Sequence, residues 1–177
     1  MKEIITELIS EKEIKKRINE LGDEISKAYY GKEIRLIGIL KGGAMFACEL
    51  AKRIQVPVIM DFMQAQSYGA GTYPSGEVRI VKDLDMPIEG CHVLIAEDII
   101  DTGNTIAALT STLLSRGASD ISVCALLDKP SRRVQKKVTP DYLGFSIPDK
   151  FVVGMGLDYD QKYRNLPYVG CISFEEE

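Results

Sequence analysis

The chain has 177 residues, 45% of them hydrophobic and 27% charged, which gives enough apolar material for one sizeable core and argues against wholesale disorder. A formal net charge of −4 and a pI of about 5.2 argue against a general binder of nucleic acid or anionic membrane. No apolar run approaches the roughly 20 residues that span a bilayer, and the opening Met1-Lys2-Glu3-Ile4-Ile5-Thr6-Glu7 lacks the apolar stretch of a signal peptide. A cytoplasmic protein is expected.

The first predicted element is a helix. Ser10-Glu11-Lys12-Glu13 has the form of a capping box, and Ile14, Ile18, Leu21, Ile25 and Tyr29 recur at helical spacing before Gly31. Ile34 to Leu40 follows as a near-continuous apolar run of strand length, and Gly42-Gly43 opens a helix through Arg53. Val56 to Phe62 reads as a second strand, His92 to Ala96 as a third and Ile121 to Leu127 as a fourth, with a helix over Ile106 to Arg116. Apolar strands separated by helices predict an α/β domain: a central, mostly parallel sheet with helices on both faces. After Pro130 the rhythm changes. Short strands at Tyr142–Ile147, Phe151–Val153 and Tyr168–Ile172, punctuated by Pro140, Pro148 and Pro167, suggest a small C-terminal cap. Residues 1–177 are expected to form a single domain, with a core of about 34–130 and a hood from about 140–177.

The four cysteines, Cys48, Cys91, Cys124 and Cys171, form no CxxC pair and sit among apolar residues, so buried thiols in a reducing compartment are expected. The single histidine, His92, has no obvious partner and reads as structural; a histidine-based metal site is excluded. Ser67 to Gly76 (SYGAGTYPSG) holds three glycines, a proline and two serines in ten residues, a composition for a flexible loop of lid type. The basic run Arg132, Arg133, Lys136, Lys137 is expected to face water.

The chemistry concentrates in Val93-Leu94-Ile95-Ala96-Glu97-Asp98-Ile99-Ile100-Asp101-Thr102-Gly103-Asn104-Thr105. An apolar strand ends in adjacent carboxylates at the sheet edge where open α/β folds bind ligands. A third carboxylate, Asp101, precedes a Thr-Gly-Asn-Thr turn into a helix, where free amides and the helix dipole make a phosphate cradle. Acids beside such a cradle must serve another part of the ligand: a ribose diol, or a divalent cation bound through oxygen. A ribose 5-phosphate satisfies both halves.

These thirteen residues resemble the phosphoribosyl-pyrophosphate signature of type I phosphoribosyltransferases. Leu40-Lys41-Gly42-Gly43, Ser67-Tyr68, and Pro148-Asp149-Lys150-Phe151-Val152-Val153-Gly154 with Leu157-Asp158-Tyr159 extend the resemblance to the hypoxanthine-guanine branch. The resemblance implies purine salvage with Mg²⁺, in which phosphoribosyl pyrophosphate donates its sugar to hypoxanthine or guanine. It implies that Glu97 and Asp98 hold the ribose hydroxyls and help bind the metal. Thr102, Gly103, Asn104 and Thr105 would bind the 5′-phosphate, and Asp101 would be the general base at N7. Lys41 and Gly42, in a loop that commonly contains a non-proline cis peptide, would contact pyrophosphate together with Arg164, Ser67 and Tyr68. Lys129 would recognise the purine's exocyclic oxygen, Phe151 would stack on the ring, Ile99 and Val152 would line its pocket, and Asp158 would serve both base and metal. Mammalian members carry a lysine in place of Asn104, a position expected to use mainly its backbone amide. A homodimer or homotetramer is implied.

A regulator on the same scaffold that binds RNA, of the pyrimidine-attenuation kind, would need a basic face; the negative charge and Asp149-Lys150-Phe151-Val152 weigh against it. A second alternative is an enzyme that salvages another base, such as adenine or xanthine. No G-x-G-x-x-G follows any strand, which disfavours a Rossmann enzyme.

Overall fold

The computed structural model describes residues 2–67 and 78–175. Strand β1 (Lys2–Ile9) leads into helix α1 (Glu11–Ala28) through the capping box: Glu13 N donates to Ser10 Oγ at 3.3 Å, and Ser10 N donates to Glu13 Oε2 at 2.9 Å. The apolar positions at helical spacing, Ile14, Ile18, Leu21 and Ile25, are the face that α1 buries.

The chain then alternates as β2 (Ile34–Leu40), α2 (Gly43–Ala51), β3 (Val58–Ser67), β4 (Val78–Lys82), β5 (His92–Ile100), α3 (Asn104–Ser115), β6 (Asp120–Asp128) and β7 (Tyr142–Ser146). These strands form a six-stranded sheet in the order β4-β3-β2-β5-β6-β7, parallel throughout except for the antiparallel pair β3 and β4. A strand buried on both faces needs apolar side chains in both directions, which is why β2 reads Ile-Arg-Leu-Ile-Gly-Ile-Leu without polar alternation. Ile34 and Leu36 of β2 and Leu94 and Ala96 of β5 pack with Phe46, Ala47 and Leu50 of α2 and with the buried face of α1. Ile37, Ile39, Val93 and Ile95 point the other way, onto Ile106, Leu109 and Leu113 of α3. Gly38 faces α2, where an added Cβ would come within 2.9 Å of Ala47 Cβ, so the helix lies close over the sheet.

The cap is more regular than its prolines suggest. Strands β8 (Val152–Val153) and β9 (Val169–Glu175) pair with β1 in a three-stranded antiparallel sheet of order β1-β9-β8, with Lys2 opposite Glu175 and Val152 opposite Cys171. Tyr142–Ser146 belongs to the main sheet instead, pairing with β6. Strands β1 and β4 are additions to the predicted set, and β5 runs on through Glu97 and Asp98 to Ile100 because β6 continues to pair with it as far as Asp128. The cysteine expectation fails in part: Cys124 is buried, Cys91 and Cys171 are half-buried, and Cys48 is exposed on α2. His92 does find a partner, with Nδ1 lying 2.5 Å from Asp120 Oδ2 across the β5–β6 ladder. Residues 68–77, most of the predicted lid, lie outside the described residues.

Candidate active site

The carboxyl ends of β2, β3 and β5 open into a cleft of about 250 Å³, floored by Glu97, Asp98 and Asp101 and walled by Gly42, Thr102 and Thr105. Glu97 is buried, and burial together with the neighbouring Asp98 charge holds its carboxyl well above the ordinary glutamate range. Burial raises Asp98 too. Its hydrogen bond from Glu97, the Ile99 amide donating to Oδ1 at 2.8 Å and the nearby Arg164 charge oppose that rise. Two acids pressed together out of water call for a ligand that supplies donors or a cation.

Gly103 turns the chain from β5 into α3 with φ of 85°, a left-handed conformation that side chains rarely adopt. The Asn104 amide donates to Thr102 Oγ1 at 3.3 Å, and Ala107 N closes the first helical turn onto Gly103 O at 2.9 Å. Helix amides at this end face the cleft, the arrangement that holds a phosphate. The side chain of Asn104 points elsewhere, its Oδ1 accepting from Gln135 Nε2 at 2.9 Å.

Across the cleft stands the loop between β2 and α2. The Leu40–Lys41 peptide bond is cis, as the resemblance implies. Gly42 touches the acids so closely that a Cβ there would lie 1.7 Å from Asp98 Oδ2, and a Cβ on Gly156 would lie 1.9 Å from Gly42 O. Three chain segments thus meet with no room for a side chain. Lys41 is exposed, its Nζ donating to Gln161 Oε1 at 3.3 Å. Arg164 pairs with Asp158 at 2.8 Å and donates to Gly156 O at 2.6 Å, which fixes both charged groups beside this loop.

Lys129 is buried at the end of β6, with Nζ 3.7 Å from Asp149 Oδ1. Phe151 is exposed and meets Tyr159 edge-on, ring centroids 5.8 Å apart. Ile99 is half-buried in the cleft. Val152 is buried in the core and pairs with Cys171 of β9. Ser67 ends β3, and Tyr68 lies outside the described residues.

The basic run departs from expectation in part. Arg132 Nε lies 2.8 Å from Asp101 Oδ1. Arg133 is largely buried, donating to Asp101 O at 3.0 Å and pairing with Asp128. Val134 and Gln135 amides both donate to Thr102 O at 3.0 Å. Arg132, Lys136 and Lys137 are exposed, as expected of the run, and Arg133 alone of the four is withdrawn from water. The signal that points to the two arginines is their position just beyond a strand's carboxyl end, the ligand-binding edge, rather than their charge.

Among the described residues no group of three or more histidine, cysteine or acidic side chains surrounds one point. Magnesium ordinarily uses one or two carboxylates together with substrate phosphates. Glu97 and Asp98, an oxygen-only pair beside a phosphate cradle, fit such a metal arriving with its ligand.

The comparisons with known proteins agree with this geometry. The chain is 49% identical to a hypoxanthine phosphoribosyltransferase of Salmonella typhimurium, over 100% of both chains. A hypoxanthine phosphoribosyltransferase structure from Staphylococcus aureus, 46% identical, superposes with a TM-score of 0.91 over 95% of this chain and 91% of that one. That from Trypanosoma cruzi, in complex with the product IMP, is 38% identical with a TM-score of 0.85, covering 93% of this chain and 92% of its own. The phosphoribosyl transferase domain model matches residues 5–160. With that match spanning both the sheet and the carboxylate–phosphate turn, the chain belongs to the phosphoribosyltransferase family.

Proposed function

We propose that the protein transfers the 5-phosphoribosyl group of phosphoribosyl pyrophosphate to N9 of hypoxanthine, and of guanine, giving IMP or GMP and pyrophosphate in purine salvage. The observation that carries this reading is one strand end and turn that join the buried Glu97, the half-buried Asp98, a third carboxylate and a helix N-terminus around a single cleft. The names of the full-length relatives point to the same base. The whole chain is read as one such domain, with β1 adding an N-terminal strand to the hood. A cytoplasmic homodimer or homotetramer completes the reading, and light scattering on the purified protein checks the assembly.

In this mechanism Thr102, Gly103, Asn104 and Thr105 grip the 5′-phosphate through amides and hydroxyls, while Glu97 and Asp98 hold the 2′ and 3′ hydroxyls and thereby aim C1′ at the base. Glu97 and Asp98, or Asp158 on the pyrophosphate side, would hold Mg²⁺ arriving with the pyrophosphate, and the ion would supply charge neutralisation for the leaving group. Lys41, the Gly42 amide and Arg164 add donors on the same side, with Ser67 and Tyr68 proposed to join them. Lys129 donates to the purine's 6-oxo group, Phe151 stacks on the ring, and Ile99, Val152 and Asp158 complete its pocket. As the bond from N9 to C1′ forms and the bond from C1′ to pyrophosphate oxygen breaks, Asp101 accepts the proton of N7.

The test is pyrophosphate release from phosphoribosyl pyrophosphate and Mg²⁺ with each natural nucleobase in turn. Hypoxanthine and guanine are expected to lead. A clear preference for xanthine would move the assignment within the family, and release driven only by adenine or a pyrimidine would overturn it.

A further inference from the structure

The loop after β6 does more than place Lys129. Residues Pro130–Arg132 form one turn of 3₁₀-helix, closed by Arg132 N donating to Lys129 O at 3.1 Å. Lys129, which caps the turn, and Arg132, which ends it, both reach the same acid: Lys129 Nζ is 3.7 Å from Asp149 Oδ1, and Arg132 Nη1 is 3.5 Å from Asp149 Oδ2. Asp149 stands in the loop that carries Phe151 to the mouth of the base pocket.

The other side of the same guanidinium faces Asp101. Arg132 Nε comes within 2.8 Å of Asp101 Oδ1, yet that oxygen is buried and, among the described residues, receives no well-aligned hydrogen bond. The contact is an attraction between charges. Meanwhile Arg133 clamps the carbonyl of Asp101 at 3.0 Å and is itself anchored on Asp128. The backbone of Asp101 is thus held by one arginine, and the remaining freedom, rotation of its carboxylate, is restrained by the next.

We propose that Arg132 is a positioning residue that pins Oδ1 of the Asp101 carboxylate and so leaves the other carboxylate oxygen turned to the cleft to accept a proton, and that by bridging to Asp149 it ties this base to the loop bearing Phe151. The inference rests on Asp101 being the general base. An arginine suits the task because its planar fork can meet two acids at once, which the point charge of a lysine cannot.

The experiment compares Asp101→Asn, Arg132→Ala, Arg132→Lys, Asp149→Asn and the double variant of Asp101→Asn with Arg132→Ala, measuring kcat, KM for each substrate and thermal unfolding. Arg132→Ala is expected to lower kcat by about 10- to 100-fold, the scale of a misplaced reacting group, with KM for phosphoribosyl pyrophosphate unchanged within a few-fold. Arg132→Lys should recover part of the loss, and Asp149→Asn should reproduce part of it from the far end of the bridge. In the Asp101→Asn background Arg132→Ala should cost nothing more, since it acts through Asp101. Lys136→Ala, an exposed neighbour in the same basic run, should behave as the unmodified protein. Full kcat in Arg132→Ala beside a crippled Asp101→Asn would overturn this inference alone, as would an additive loss in the double variant. Full kcat in Asp101→Asn would overturn the base assignment and this inference with it. If Arg132→Ala does not fold, an Asp149→Asn variant that folds and turns over normally removes the tether.

Discussion

Near the amino edge of the six-stranded sheet, His92 lies 2.5 Å from Asp120, and Arg116 grips Asp83 with two bonds of 2.5 and 2.8 Å. At the carboxyl edge Glu97 and Asp98 are crowded against each other under burial, and Asp101 keeps a buried oxygen that has no hydrogen-bond donor among the described residues. The two ends of β5 thus treat charge differently. One end matches each acid with a base and a short bond, and gains modestly in stability. The other presses two acids together and leaves one buried acceptor, Asp101 Oδ1, unmet among the described residues, an arrangement that raises the energy of the empty protein. The contrast separates a supporting edge from a working one without reference to any ligand.

Four substitutions test the contrast, from the strongest effect downward. Asp101→Asn keeps shape and hydrogen bonding but cannot take the N7 proton, so kcat should fall by roughly 10²- to 10⁴-fold with the unfolding temperature unchanged. Near-normal turnover would mean that Asp101 is not the base. Gly42→Ala drives a Cβ to within 1.7 Å of Asp98 Oδ2, and the loop or the carboxylate must move. A loss of about 10² in kcat/KM is expected, as for other displacements near 1 Å, and an unaffected enzyme would show that Gly42 and Asp98 need not touch.

Lys129→Met removes the buried donor to the 6-oxo group. With about 1–3 kcal/mol at stake for such a bond, kcat/KM for hypoxanthine should drop by roughly 5- to 150-fold, while adenine, poor from the start, should hardly change. Equal use of adenine and hypoxanthine by the unmodified protein would show the pocket to be misread.

The smallest effect belongs to the supporting edge. Arg116→Ala should leave kcat alone and cost at most about 1 kcal/mol of stability, since both side chains are well exposed. Its hydrogen bonds are the main reason Asp83 sits below the ordinary aspartate value. A carboxyl lowered in the folded state stabilises fully above its unfolded value, about 4, and that contribution disappears as pH falls through the lowered one. Unfolding curves of the two proteins should therefore differ at neutral pH and converge in acid. A gap that persists in acid would assign the loss to packing of the arginine stem instead.

Much of the main sheet could be read directly. Strand β2 coincides with its apolar run, and the capping box at Ser10 and Glu13 is made as read, because both signals are local. Strand β5 outran its prediction since Glu97 and Asp98 look like a strand's end; only pairing with β6, a non-local fact, extends it. For the same reason β1 was invisible, its register being set by β9 at the other end of the chain. The acids and the phosphate turn stood out because one short segment holds them all. Arg132 did not, as a charge run usually faces water and nothing local shows that its loop folds back onto the carbonyl of Thr102.

The pairing of β1 with β9 has a consequence for synthesis on the ribosome. Ile9 must wait for Val169 before the small sheet can close. At ~5–20 residues per second that interval lasts roughly 10–30 s, during which β1 is a strand without a partner while the main sheet is being completed beside it. An unpaired strand is an invitation to other chains. The three glutamates that β1 and its helix junction carry, Glu3, Glu7 and Glu11, are placed to discourage such visitors while the nascent chain is still being made.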